Sequence, residues 1–329
     1  MKKILYSIQA TGNGHVSRAR QIIPELKKHG EVDVFLSGQN CTLPVPFPVK
    51  YSSTGISLFY NQKGGISVHD IVSKNQWSEL YKKSTTLPVN EYDIVLNDFE
   101  PITALACALR KKKSLQVSHQ ASFISKKTPR PVYKNPLGEW ILKNYSYSSE
   151  NIGFHFDQYD HFIQNPVIKQ NILNALPIDL GHITVYISGF KKSFLKELFN
   201  YFDQIPFHCF VPQVQEDEIV DNIVFKPIRD ESFAQSMLTC HGIITGGGFE
   251  TPAEALYLKK KLLSIPIRNH YEQECNAAAL KKAGILTGKL NSMDQSKALI
   301  KEWLNYQQPD VKIIPNQVDD LAKQIASFA

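Results

Sequence analysis

The sequence predicts an α/β protein of two doubly wound domains, and three observations carry that prediction. Lys3–Gln9 reads as a buried strand, passes through the turn Gly12-Asn13-Gly14 into a helix, and is followed by a second strand at Glu31–Leu36. This is the strand–turn–helix–strand opening of a doubly wound sheet. His182–Phe190 restarts the pattern, with an apolar strand, a small-residue turn at Ser188-Gly189 and a helix over Lys192–Phe202. The length, 329 residues, exceeds a typical single domain and suits two. The domains are placed at 1–165 and 166–316, with Pro166 and Pro177 in the linker. A final helix, 317–329, carries Val318, Leu321, Ile325 and Phe328 and is set to pack back on the first domain.

Within the first half, the opening helix runs to about Lys28, and Gly30 is placed to end it. Pro44, Pro46 and Pro48 break structure, and Gly55–Gly65 reads as a loop with Phe59 and Tyr60 near its tip. Val68–Thr86 reads as a helix. Tyr92–Asp98 is a strand followed by a helix over Ile102–Arg110, and Ser114–Ser118 is a strand ending near His119 and Gln120. Asn151–Phe156 and His161–Gln164 complete this half. In the second half, Phe207–Pro212 and Ile223–Lys226 are strands and Phe233–Leu238 a short helix. Ile243-Ile244 ends another strand, and Lys261–Pro266 is the next.

Composition narrows the function. The five cysteines are scattered without a C-x-x-C pair, which disfavours a disulfide framework or a zinc site and fits a reducing cytoplasm. No apolar run reaches the roughly 18 residues of a membrane span. The charge of +6, from 37 basic and 31 acidic residues, suits an ordinary solvated surface or attraction to anionic partners. No nucleic-acid motif is present, so nucleic acid is not an expected partner. Lys126-Lys127-Thr128-Pro129-Arg130-Pro131, with Tyr133, Trp140, Ile141 and Leu142, forms a basic and aromatic stretch. It reads as a plain loop and amphipathic helix, or as a peripheral contact with the inner face of a membrane.

The chemistry concentrates at strand ends. Gly246-Gly247-Gly248 follows the Ile243-Ile244 strand, and Thr251-Pro252 opens a helix with Glu254 about one turn in. Glycines admit a ligand close to the backbone, and a helix N-terminus offers N–H groups to a phosphate. Glu254 could reach the hydroxyls of a ribose; a glycine-rich turn with no ligand is the other reading. Ser188-Gly189 repeats the phosphate-cradle logic more weakly. In the first half, Gly12-x-Gly14 lacks the third glycine of a dinucleotide fingerprint, and His15 stands on the crevice side of the turn. His15 is a proton acceptor in a ligand crevice or a cap on its own helix. Asp98 is the acid that fixes the His15 tautomer or an N-cap. Gln273 and Asn276 share one helix face and could read sugar hydroxyls; a solvated helix start is the other reading. Gly12, Asn13, Gly14 and His119 border the same rim and are acceptor-side candidates.

Five stretches resemble a known family: ATGNGHVSRA (10–19), YDIVLNDFEP (92–101), GFHFDQYDHFIQNPV (153–167), ITGGGFETPAEAL (244–256) and HYEQECNAAALKKAGI (270–285). Together they are similar to GT-B glycosyltransferases, nearest the group of the peptidoglycan N-acetylglucosaminyltransferase, the galactolipid synthases and the UDP-glucuronosyltransferase-like enzymes. The resemblance implies two Rossmann-like domains facing a cleft and transfer of a sugar from a nucleotide donor, a UDP-sugar, to an acceptor hydroxyl. It implies donor contacts at Gly246, Gly247, Gly248, Thr251, Glu254, Glu272, Gln273 and Asn276, to which the phosphate-cradle reading adds Ser188 and Gly189. His15 matches the general base and Asp98 resembles its acidic partner. Inversion at the anomeric carbon follows from the same resemblance. No D-x-D occurs, so a bridging metal is not indicated, and no cofactor is implied because the nucleotide sugar is a substrate.

The sequence departs from the small-molecule members at two points. Gly246 stands near the place of a phosphate-contacting histidine, and Glu272 replaces an aspartate. The acceptor stays open among a lipid, a glycan and a small molecule. Two other functions fit the same residues: a nucleotide-sugar 2-epimerase of the same fold, and a non-catalytic nucleotide-sugar-binding subunit.

Overall fold

The computed structural model describes residues 1–39, 41–56, 73, 75 and 77–328. Two seven-stranded sheets organise it. The first comprises β1 (Lys2–Gln9), β2 (Gly30–Ser37), β3 (Tyr51–Ser53), β4 (Ile94–Asp98), β5 (Leu115–Ser118), β6 (Glu150–Phe154) and β7 (Ile163–Gln164). Its order is β3-β2-β1-β4-β5-β6-β7, and neighbouring strands are parallel. The second comprises β8 (Ile183–Tyr186), β9 (Phe207–Phe210), β10 (Glu218–Val220), β11 (Ile223–Lys226), β12 (Gly242–Gly246), β13 (Lys261–Ile265) and β14 (Leu286–Thr287). Its order is β10-β11-β9-β8-β12-β13-β14, parallel except for the β10–β11 edge pair.

The helices are α1 (Asn13–Leu26), α2 (Trp77–Thr86), α3 (Pro101–Arg110), α4 (Pro136–Asn144), α5 (Gln170–Leu173) and α6 (Lys192–Asn200). They continue with α7 (Asp230–Thr239), α8 (Glu250–Tyr257), α9 (Tyr271–Lys282), α10 (Met293–Asn305) and α11 (Val318–Ser327). Central strands are covered on both faces, so β4 is buried along its whole length and reads as a continuous apolar run into Asn97-Asp98. The last helix, α11, buries Leu321, Ala322 and Ile325 in the core that also holds Val16, Ala19 and Ile22 of α1. Lys2 Nζ donates to Ala326 O at 2.7 Å, tying the end of the chain to its beginning.

Several expectations are corrected. Gly30 does not end α1; it opens β2, and a Cβ there would stand 2.5 Å from Lys2 O. Glycine is needed for the close approach of β1 and β2, not for a helix cap. The linker contains the short helix α5. The edge strands β3, β10 and β14 span two or three residues each, too few for a periodic signal. The expected loop tip at Phe59 and Tyr60, and the part of the expected helix over 68–72, lie outside the described residues. None of the described helices is long and apolar enough to cross a membrane.

Candidate active site

Each sheet has one point where its strand order reverses, between β1 and β4 and between β8 and β12. A crevice opens outside the carboxyl ends of the strands at such a point. His15 follows β1 and Asp98 ends β4; Ser188 and Gly189 follow β8, and Gly246 ends β12. The two crevices face each other across direct contacts. Gln120 Nε2 donates to Glu272 Oε2 at 3.1 Å, and His119 Nε2 lies 2.8 Å from Asn276 Oδ1. Tyr271 donates its hydroxyl to Glu139 Oε1 at 2.8 Å, and Arg18 NH1 donates to Glu250.

On the first side, His15 Nδ1 lies 2.7 Å from Asp98 Oδ1. A carboxylate at this distance places the ring proton on Nδ1 and leaves the Nε2 lone pair for the crevice. Gln120 Nε2 lies 3.5 Å from His15 Nε2. Neither residue caps a helix. The N-cap of α1 is Gly12, with no side-chain bond, and the cap of α3 is Glu100, accepting from Ile102 N at 2.9 Å and Thr103 N at 2.6 Å. Asp98 is fully buried. Burial pushes its carboxyl up, but the Arg18 guanidinium and His15 outweigh it and hold the group below the usual aspartate range. Arg18 donates to Asp98 through Nε at 3.2 Å and NH2 at 2.6 Å. Phe99 follows with φ +58°, a left-handed conformation at a non-glycine residue, and its ring lies parallel to His15 at 6.5 Å. Such strain costs about 1–3 kcal/mol and here turns the chain sharply from the acid into α3.

On the second side, α8 begins at Glu250, one residue before the expected Thr251, with no side-chain cap. Its first N–H groups are therefore not used by a side-chain cap. Gly248 has no atom within 4 Å of where a Cβ would stand. The neighbouring Gly247 N donates to Gln273 Oε1 at 3.2 Å, which also takes Ile267 N at 2.9 Å. Asn276 Nδ2 donates to Gly247 O at 3.0 Å. Gln273 and Asn276 thus brace the glycine turn from behind, and the Gly247 N–H is already used. Ser188 and Gly189 line a cavity of about 300 Å³ with Phe190, Arg268 and Lys289. Gly189 has φ +87°, which requires a glycine. A larger cavity, about 580 Å³, lies between His241, Lys260 and Gln308 and contains none of the expected site residues.

Two further expected contacts are placed differently. Glu254 is 2% exposed and pairs with Lys169 Nζ at 3.3 Å, so its carboxylate is turned into the protein. Burial pushes the Glu254 carboxyl up to about 7 against the opposing Lys169 ammonium, which also lies 3.4 Å from Asp230 Oδ1. His119 is 1% exposed, stacks on Phe249 at 4.0 Å and lies 2.8 Å from Phe154 O. Burial lowers its pKa against the opposing effect of Glu272 and Glu250. It is a brace between the domains. Asn13 holds the following loop, accepting from Thr42 N at 2.9 Å, while Gly12 and Gly14 form the start of α1.

The family model for glycosyl transferase family 1 matches residues 2–132 and 153–307. The chain belongs to this family. A comparison with curated proteins finds no match in sequence. Among solved structures, MurG of Acinetobacter baumannii is similar over 99% of both chains, with 14% identity and a TM-score of 0.55. UGT89C1 of Arabidopsis thaliana, complexed with UDP, is similar over 99% of this chain and 94% of that one, with 11% identity and a TM-score of 0.56. Os79 of O. sativa, in complex with U2F and trichothecene, gives 9% identity and a TM-score of 0.60 over 98% and 94%. The glycosyltransferase thus has the GT-B architecture expected from its sequence.

The structure of this glycosyltransferase also shows residues that the sequence analysis did not assign. Arg18 lies one turn after His15 on α1, a spacing that puts both on one face. Gln120 was visible as a polar residue at a strand end, but its bridge between His15 and Glu272 was not. Glu250 and Lys169 find partners in distant segments, 232 residues away for Glu250.

Proposed function

We propose that this glycosyltransferase moves a sugar from a UDP-sugar to an acceptor hydroxyl, with inversion and without a metal. One observation carries the reading: His15 Nε2 is turned to the crevice, with Nδ1 held by Asp98, opposite an uncapped helix N-terminus. His15 Nε2 takes the acceptor proton as the acceptor oxygen bonds to the anomeric carbon. The bond from that carbon to the donor phosphate oxygen breaks, and its electron pair leaves with the diphosphate. The α8 N-terminus and the Gly248 backbone meet that developing charge. Asp98 stabilises the imidazolium, and Arg18 keeps Asp98 ionised. Ser188, Gly189 and the cavity beside them take the nucleoside; the UDP in the Arabidopsis structure supports UDP as the nucleotide. UDP is expected to raise the melting temperature by a few degrees at saturating concentration, and more than GDP or dTDP does. A flat response to all three would sink the donor assignment.

The exposed face of α4 and the preceding loop supports a peripheral place at the membrane's inner face. Tyr133 is 91% and Trp140 60% exposed, with Lys126, Lys127, Lys134 and Lys143 close in sequence. Apolar insertion and attraction of lysines to anionic lipid add together in such a surface. The protein is expected to sediment with phosphatidylglycerol vesicles and much less with phosphatidylcholine vesicles. Trp140→Ser should weaken that binding severalfold; equal recovery from both lipids would remove the assignment.

A further inference from the structure

We propose that Arg18 and Glu250 couple the proton affinity of His15 to the approach of the two domains. This rests on the reading of His15 as the general base. Glu250 opens α8 on the second side, and its carboxylate reaches across to Arg18 NH1 on α1. It lies against the start of α1, where a Cβ on Gly14 would stand 2.5 Å from Glu250 Oε2. Glycine at 14 leaves the room this carboxylate occupies.

Arg18 is 2% exposed and divides its guanidinium among three neighbours. Nε and NH2 serve Asp98, NH1 serves Glu250, and NH2 is 3.1 Å from His15 Nδ1. A cation this close opposes protonation of the imidazole, while Asp98 favours it. Arg18 and Asp98 alone sum to zero formal charge, so Arg18 offsets part of the benefit of the nearer Asp98. Glu250 adds a second carboxylate and leaves one net negative charge beside His15. That charge is present only while the second domain is seated on the first. Separation of the domains withdraws it and weakens the base when no cleft is enclosed.

The other groups facing this cluster do not reverse the effect. Glu272, from α9, is a further carboxylate on the second side, accepting from Gln120 Nε2 at 3.1 Å. Gln120 and Phe99 are neutral, and Tyr6, buried beside Asp98, is held un-ionised first by its burial. Arg18 and Glu250 are positioning residues, acting on the acceptor through His15.

The test is a ring titration of the full chain labelled with ¹³C-histidine, followed by NMR, with the His15 signal assigned from His15→Asn. In Glu250→Gln the midpoint is expected to fall by about half a pH unit or more, roughly a threefold weaker proton affinity. Glu250→Ala is expected to shift it the same way. Asp230→Asn breaks another cross-domain pair, with Arg20 at 2.7 Å, without touching Arg18, and is expected to leave the midpoint in place. An unchanged midpoint in both Glu250 variants, or an equal shift in Asp230→Asn, overturns the proposal. The titration needs no substrate, so its failure is distinct from a failure of His15 to act as the base.

Discussion

Replacing His15 with alanine is expected to abolish sugar transfer, lowering the rate by about 10²–10⁴-fold, and to leave the thermal shift with UDP nearly intact. The fold should tolerate the change. Asp98 keeps two hydrogen bonds from Arg18, so its buried charge stays compensated. The imidazole is 12% exposed and sits at the edge of the crevice, where water can fill the space it leaves. The donor side is untouched, because the glycine turn and α8 are held by Gln273 and Asn276 rather than by His15. Loss of rate with retained nucleotide binding separates a proton acceptor from a binding residue. Transfer at the parental rate would show that another group removes the proton. Donor incubated without acceptor gives a second readout, since an epimerised sugar there would point to the alternative chemistry on this fold.

The sequence made legible what depends on local order. A strand running into Gly12-x-Gly14 places His15 at a carboxyl end, and a strand running into Asn97-Asp98 places an acid on the neighbouring rim. The register confirms the neighbourhood, with Ile8 opposite Asp98 across β1 and β4. The glycine run before α8 was legible for the same reason. What local order cannot supply is the direction of a side chain that has two places to go. Glu254 stands one turn into a helix, and spacing allows it to face the crevice. Lys169, from the linker, draws it inward instead. Gln273 and Asn276 do share a face, but that face packs on the glycine turn. Arg18 was recoverable in principle from its spacing to His15. Its use by Glu250 was not, because only the meeting of two domains brings those residues together. The short edge strands escaped for a different reason: two or three residues beside a sheet carry no period.

The glycine turn yields the most discriminating pair of substitutions. A Cβ on Gly247 would stand 2.8 Å from both Gln273 O and Gln273 Cβ, and 3.0 Å from Pro266 Cβ. The obstruction includes backbone, so α9 must move or the turn must open. Either change strains the bonds from Gly247 N to Gln273 and from Asn276 to Gly247 O. Gly247→Ala is therefore expected to cost about 1–3 kcal/mol, a fall in melting temperature of several degrees for a chain of this size. Gly248→Ala meets nothing within 4 Å and should melt within about a degree of the parent. Its methyl group instead enters the crevice where the diphosphate would approach the backbone, so UDP affinity should fall about tenfold or more. Stability is thus expected to move in one variant and donor binding in its neighbour. Parental UDP affinity in Gly248→Ala would place the diphosphate elsewhere in the cleft. Unchanged stability in Gly247→Ala would mean that α9 yields more easily than its hydrogen bonds to the turn imply.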